Sequence, residues 1–198
     1  MNIAVPEAEL PVRLRFDRPM SDDQLLRFCA ANEALRVERD ANGEILLMTP
    51  AGFKGSTINQ RIGYLLYAWA EQDGRGVTTD SSGGYTLPDG SVRAPNAARV
   101  SFQRLETLSE QEQAGFAPVC PEFVIELRSP SDRLADLRAK MEMWVANGAE
   151  AAWLIDPERR VVEIYRPGDS PEVLHEPSSV QGTGPVAGFQ LVMERVWQ

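Results

Sequence analysis

Two residues in this chain carry chemistry at odds with their surroundings. Glu126 follows the apolar run Phe123-Val124-Ile125 in EFVIELRS, and an ionised carboxylate inside a buried strand is costly unless a cation faces it. One such cation is the guanidinium of Arg128, two residues on and therefore on the same strand face. The other is Mg2+ or Mn2+, hard ions that take oxygen donors from rigid elements. A divalent ion needs a second donor from a neighbouring strand, and the natural place for it is the strand start at Pro95-Asn96 in RAPNAARVS. Asn96 offers an amide oxygen, which can ligate a hard cation but adds no negative charge. The alternative is that it only shapes the turn.

Zinc sites and nucleophile triads find little support. The cysteines, Cys29 and Cys120, stand far apart without a CxxC pair, the one histidine is His175, and no GxSxG elbow occurs. Both cysteines read as small buried apolar residues, and His175, in a polar Pro-rich segment, as a surface residue. A net charge of −9 argues against a coat of positive charge for non-specific nucleic-acid binding while leaving room for a local basic cleft. Arg61, Arg75, Arg93 and Arg133 are candidates for such a cleft. Of 20 basic residues only Lys54 and Lys140 are lysines, so a lysine within a site would be informative.

The elements that must hold these residues can be read from periodicity and punctuation. At 198 residues, with 43% hydrophobic and 25% charged, the chain fits one globular domain, over residues 20–198, behind an arm at 1–19. Ser21 caps a first helix, with Asp22 and Asp23 in its first turn. LRVERDANGEILLM alternates around Asn42-Gly43 as a hairpin. Apolar residues at helical spacing predict a helix from Ser56 to Asp73, stopped by Gly74. Three short strands follow, in GVTTD, GGYTL and APNAARVSF, then a brief helix capped by Ser109. EFVIELRS is a buried strand, and DRLADLRAKMEMWVANG is a helix ending at Gly148. Two strands flank Asp156-Pro157, and GFQLVMERVW supplies a last strand. Strand, helix and strand over 123–155 imply a right-handed crossover with parallel neighbours. The fold class is α/β (α+β), a mixed β-sheet flanked by helices. No apolar run approaches the roughly 20 residues of a membrane span, and MNIAVPEAELPVRLRF lacks the order of a secretory signal. A cytoplasmic protein without membrane contact is expected.

The stretches LRVERDANGEILLMTPAG, TDSSGGYTLPDG, RAPNAARVS, CPEFVIELRSPSD, KMEMWVANGAEAAWLIDPERRVVEIYRPG and GFQLVMERVW, in this order over residues 20–198, resemble the Uma-type restriction endonucleases of the PD-(D/E)XK nuclease superfamily. The resemblance implies a restriction-endonuclease-like core in which acids on adjacent strands hold a divalent ion and a lysine positions the attacking water. Glu126 matches the glutamate of the strand motif. The superfamily's usual lysine would fall two residues on, where this chain has Arg128, which cannot act as a base. In these relatives the lysine stands on the following helix, which matches Lys140. Glu38 matches an acid of the first hairpin and would complete the metal shell, against the alternative of a salt bridge to Arg36 or Arg39. For Lys140 the alternative is a solvated, snorkelling side chain. The departure is Asn96, where the family reads Pro-Asp. Asp80, at the end of a nearby strand, could supply a substitute charge but reads better as a turn residue.

The implied function is a Mg2+- or Mn2+-dependent DNA endonuclease weakened by Asn96. The alternative is a catalytically inactive nuclease fold serving as a DNA-binding or protein-interaction module. A homodimer or higher homo-oligomer is expected, with Trp69, Trp144, Trp153 and Trp197 as markers of interface surfaces.

Overall fold

The computed structural model describes residues 11–49 and 51–197; the first ten residues of the expected arm lie outside them. In chain order the elements are β1 (Val12–Leu14), α1 (Asp22–Ala30), β2 (Arg36–Arg39), β3 (Ile45–Met48), α2 (Phe53–Asp73), β4 (Gly76–Thr79), β5 (Tyr85–Thr86), β6 (Val92–Arg93) and β7 (Ala97–Ser101). There follow α3 (Phe102–Leu105), α4 (Glu110–Gln113), β8 (Phe123–Leu127), α5 (Leu134–Ala146), β9 (Ala151–Asp156), β10 (Val161–Tyr165), β11 (Glu172–His175), β12 (Ser179–Gln181) and β13 (Gln190–Val192). Among the described residues no helix is long and apolar enough to cross a membrane.

The mixed α/β architecture expected from the sequence is present. A six-stranded sheet runs β11-β10-β9-β8-β7-β4, with β8 and β9 parallel across the α5 crossover and its other pairs antiparallel. Alternation along β8 and β9 divides the core. Phe123, Ile125, Trp153 and Ile155 pack with Ile58, Ile62 and Leu66 of α2. Val124, Ala152 and Leu154 turn to the other face, against Met141 and Trp144 of α5. Glu126, in step with Val124, belongs to this α5 face.

A second, five-stranded sheet runs β1-β3-β2-β6-β5 and encloses its own core with α1, from Leu25, Phe28, Ile45, Leu47 and Val92. The Ser21 side chain caps α1 in a capping box with Gln24. The β2–β3 turn is closed by Asp40, whose carboxylate accepts from the N–H groups of Asn42 and Glu44. Gly43 there has φ +82°, and a Cβ would meet Pro19 at 2.6 Å, so only glycine fits.

Three expectations need correction. Helix α2 begins at Phe53, one turn before Ser56, behind Gly52. Val92–Arg93 forms a strand of its own, because Pro95 has no N–H to donate and holds Ala94 extended. The chain leaves the five-stranded sheet at Arg93 and joins the six-stranded sheet at Ala97. The final strand is only Gln190–Val192, since the N–H groups of Val196 and Trp197 turn back to Met193. Trp144 and Trp153 are buried, and Trp69 and Trp197 pack against the core.

Candidate functional site

The step from β6 to β7 brings the two sheets together, and the candidate residues gather at this junction. Glu38 comes from β2, Glu126 from β8 and Lys140 from α5. The Lys140 ammonium lies 2.8 Å from Glu38 Oε1 and 2.8 Å from Glu126 Oε1. Arg93, beside Glu38 in the five-stranded sheet, donates to Glu38 Oε2 at 3.0 Å. Two carboxylates and two cations thus meet in a neutral cluster. Its acids are almost fully enclosed, at 2% exposure for Glu38 and 3% for Glu126. What exposure it has falls on the cations, whose side chains are about one-sixth open.

Local sequence explains the convergence. On α5, Lys140 is one turn before Trp144, so both project from one helix row toward β8. The Trp144 indole donates to Glu126 Oε1 at 3.0 Å, the same oxygen that Lys140 contacts. Trp144 reads from sequence as an apolar stripe residue, and its one hint of more is that i, i+4 spacing from Lys140. Burial alone would raise the Glu38 pKa, but Lys140 and Arg93 outweigh it and hold the carboxyl at about 2. Burial would likewise lower the Lys140 pKa, and the two glutamates raise it instead.

Asn96 stands beside this cluster rather than in the ion contacts. Continuing the Ala97↔Ile125 register by one step puts it opposite Glu126. It is buried, and its Oδ1 accepts the Leu127 backbone N–H at 2.9 Å. An amide oxygen has a second lone pair, so this bond positions Asn96 without exhausting it.

The competing pairings do not form. Arg128 binds Asp156 at 2.8 Å in place of Glu126. Arg36 donates to the Ala94 carbonyl and Arg39 to Asp22, Met20 and Gly90, leaving Glu38 to Lys140 and Arg93. Asp80 is an exposed turn residue whose carboxylate takes the Ser82 N–H. Of the basic-cleft candidates, Arg93 is in the cluster and Arg133 is exposed at the start of α5. Arg61 lies on α2, across the sheet, bound to the Arg195 carbonyl, and Arg75 is tied to Asp73. Cys120 is buried, its thiol pushed up to about 12 by burial, and His175 is exposed on β11. Two surface cavities, one between Phe16 and Phe28 and one around Cys120 and Asn147, include none of the cluster residues.

Comparisons with known proteins bear on the family and the fold. A family model, Uma2, described as "Putative restriction endonuclease", matches residues 22–194. A crystal structure described as a putative nuclease belonging to DUF820, from Anabaena variabilis ATCC 29413, superimposes with a TM-score of 0.75 at 22% identity, covering 90% of this chain and 98% of that one. At that identity the likeness speaks for the fold. No curated protein matches.

Proposed function

The chain belongs to the Uma2 family, and on that premise we propose that it is a divalent-metal-dependent nuclease hydrolysing phosphodiester bonds of DNA. The observation that carries this reading is the meeting of Glu38, Glu126 and Lys140 at one buried point from three separate elements.

The donor chemistry fits a hard cation such as Mg2+ or Mn2+. Such ions bind through one or two carboxylates with water and phosphate completing the shell. Glu126 and Glu38 would hold the ion, with the Asn96 amide as a neutral third donor. Among the described residues no group of three acidic, histidine or cysteine side chains is placed to hold a metal, so the affinity rests on two charges. When bound, the ion neutralises charge on the phosphate and acidifies water beside it. With an ion between the acids, the Lys140 ammonium, which otherwise sits there, would be released to orient the attacking water and donate to a phosphate oxygen. Arg93 holds Glu38 and adds positive charge where the cluster opens, so an approaching phosphodiester meets cations first. Arg128 fixes Asp156 and takes no proton.

One observation favours the second reading, an inactive nuclease fold that serves as a binding module: Lys140 and Arg93 already balance both carboxylates. Supercoiled plasmid incubated with Mn2+ separates the two. Nicking by the wild-type chain that disappears in Glu126→Gln and in Lys140→Met supports the nuclease. Intact plasmid with the wild-type chain, and nicking only in Asn96→Asp, identifies a site disabled at position 96.

A further inference from the structure

Helix α2 turns Ile58, Ile62, Leu66 and Ala70 into the core. Its opposite side carries Phe53, Thr57, Gln60, Tyr64, Tyr67 and Glu71, every one exposed. At 100° per residue these six stay within about 40° of one line, and they recur at alternating steps of four and three, the spacing of a helix-pairing seam. Three are aromatic, with Phe53 88%, Tyr64 63% and Tyr67 52% exposed. Single exposed apolar residues need no explanation, but three exposed aromatics on one exposed row about 27 Å long do.

The order of the ridge says what covers it. It is symmetric about residue 62, so a second copy laid antiparallel sets Gln60 beside Tyr64, Thr57 beside Tyr67 and Phe53 beside Glu71, each pair occurring twice. That is the self-complementarity an isologous two-fold contact requires. Charge agrees: Lys54, exposed next to Phe53, comes within reach of the other copy's Glu71, whereas a parallel pair would set Lys54 against Lys54. Arg61, which flanks Tyr64, is drawn away to the Arg195 carbonyl at 2.7 Å, leaving the centre of the ridge to the tyrosine ring and Gln60. A nucleic-acid backbone would find only Lys54 uncommitted here, with Glu71 at the far end.

We propose that the outer ridge of α2 is a homodimer interface, formed by antiparallel pairing with α2 of a second copy. The surface lies on the far side of the sheet from the Glu126 cluster and does not depend on the nuclease reading. Sedimentation equilibrium of the full chain over a concentration series tests it. The expected result is a doubling of mass with concentration, lost in Tyr64→Asp with the circular dichroism spectrum unchanged, and retained in Phe102→Asp, an exposed aromatic elsewhere. Lys54→Glu should weaken the dimer and Lys54→Glu/Glu71→Lys should restore it, which a merely unfolded variant would not do. A monomer at all concentrations overturns the proposal, as does a dimer indifferent to Tyr64→Asp. So does a monomer that binds a DNA oligonucleotide and loses that binding in Tyr64→Asp, which would make the ridge a nucleic-acid surface.

Discussion

Arg138 and Lys140 stand two residues apart on α5, and each faces a buried glutamate, Glu163 on β10 and Glu126 on β8. Arg138 closes its acid. The guanidinium Nε reaches both Glu163 oxygens at 3.1 and 3.0 Å, and the Tyr165 hydroxyl donates to Oε2 at 2.7 Å. Burial, then the hydrogen bond to Glu163, drives the Tyr165 pKa well above its ordinary value, so that hydroxyl stays a donor. Lys140 leaves its acids shared. One ammonium serves Glu38 and Glu126 at equal distance, as a point charge without the fixed fork of arginine. The first arrangement ties strand to helix. The second keeps two carboxylates aimed at a single cation position, which is what a site for an exchangeable cation requires.

Removing each cation should separate the two clusters most sharply. Lys140→Met leaves Glu126 without its cation and Glu38 with Arg93 alone, and losing one partner of a buried ion pair costs about 3–5 kcal/mol. Arg138→Met should cost less, about 1–3 kcal/mol, because Arg138 is half exposed and Tyr165 still donates to Glu163. Urea denaturation of both variants at pH 7 checks the order, and equal losses would dissolve the distinction. Next in size is the response to metal. Mn2+ should raise the Tm of Lys140→Met, where it can replace the ammonium between the carboxylates, by more than that of Arg138→Met, which keeps the ammonium in place and should respond only as weakly as the wild type.

A smaller effect belongs to acid. Glu38 is depressed from 4.5 to about 2, so its stabilising contribution is complete above 4.5 and is lost as pH falls toward 2. Glu38→Gln should flatten the stability curve in that window, as read by urea midpoints across the acid range. Smallest is Asp80→Asn. It changes only a turn contact to Ser82 and should shift the urea midpoint little, without altering any Mn2+ response.

The sequence carried some of this architecture more plainly than the rest. Ser21, Asn42-Gly43, Gly74 and Gly148 mark ends and turns because capping and positive φ are local requirements. The apolar run around Glu126 marks a central strand for a similar reason: its neighbours report burial on both faces. The partner of Glu126 was not local. Arg128 lies two residues away but is taken by Asp156, 28 residues on, and Lys140 prevails because α5 folds over the α5 face of β8. Arg93 stood among four arginines that charge and composition could not rank. Its place beside Glu38 depends on the strand break at Pro95, whose effect is legible only once two sheets are known. Trp144 was hidden in the stripe that buries it, since an indole N–H in a core looks like any apolar residue until an acceptor is placed opposite.

Glu38, Glu126 and Asn96 are proposed to form a weak divalent-cation site, with Lys140 holding the cation position until an ion takes it. Titration calorimetry with Mn2+ reads it most directly, on the wild-type chain, Glu126→Gln and Asn96→Asp at one pH. The account predicts weak binding in the wild type, none in Glu126→Gln, and affinity in Asn96→Asp higher by about tenfold or more, because a third charge joins the donor set. Binding that survives intact in Glu126→Gln, or an Asn96→Asp chain that takes up no Mn2+, would contradict it.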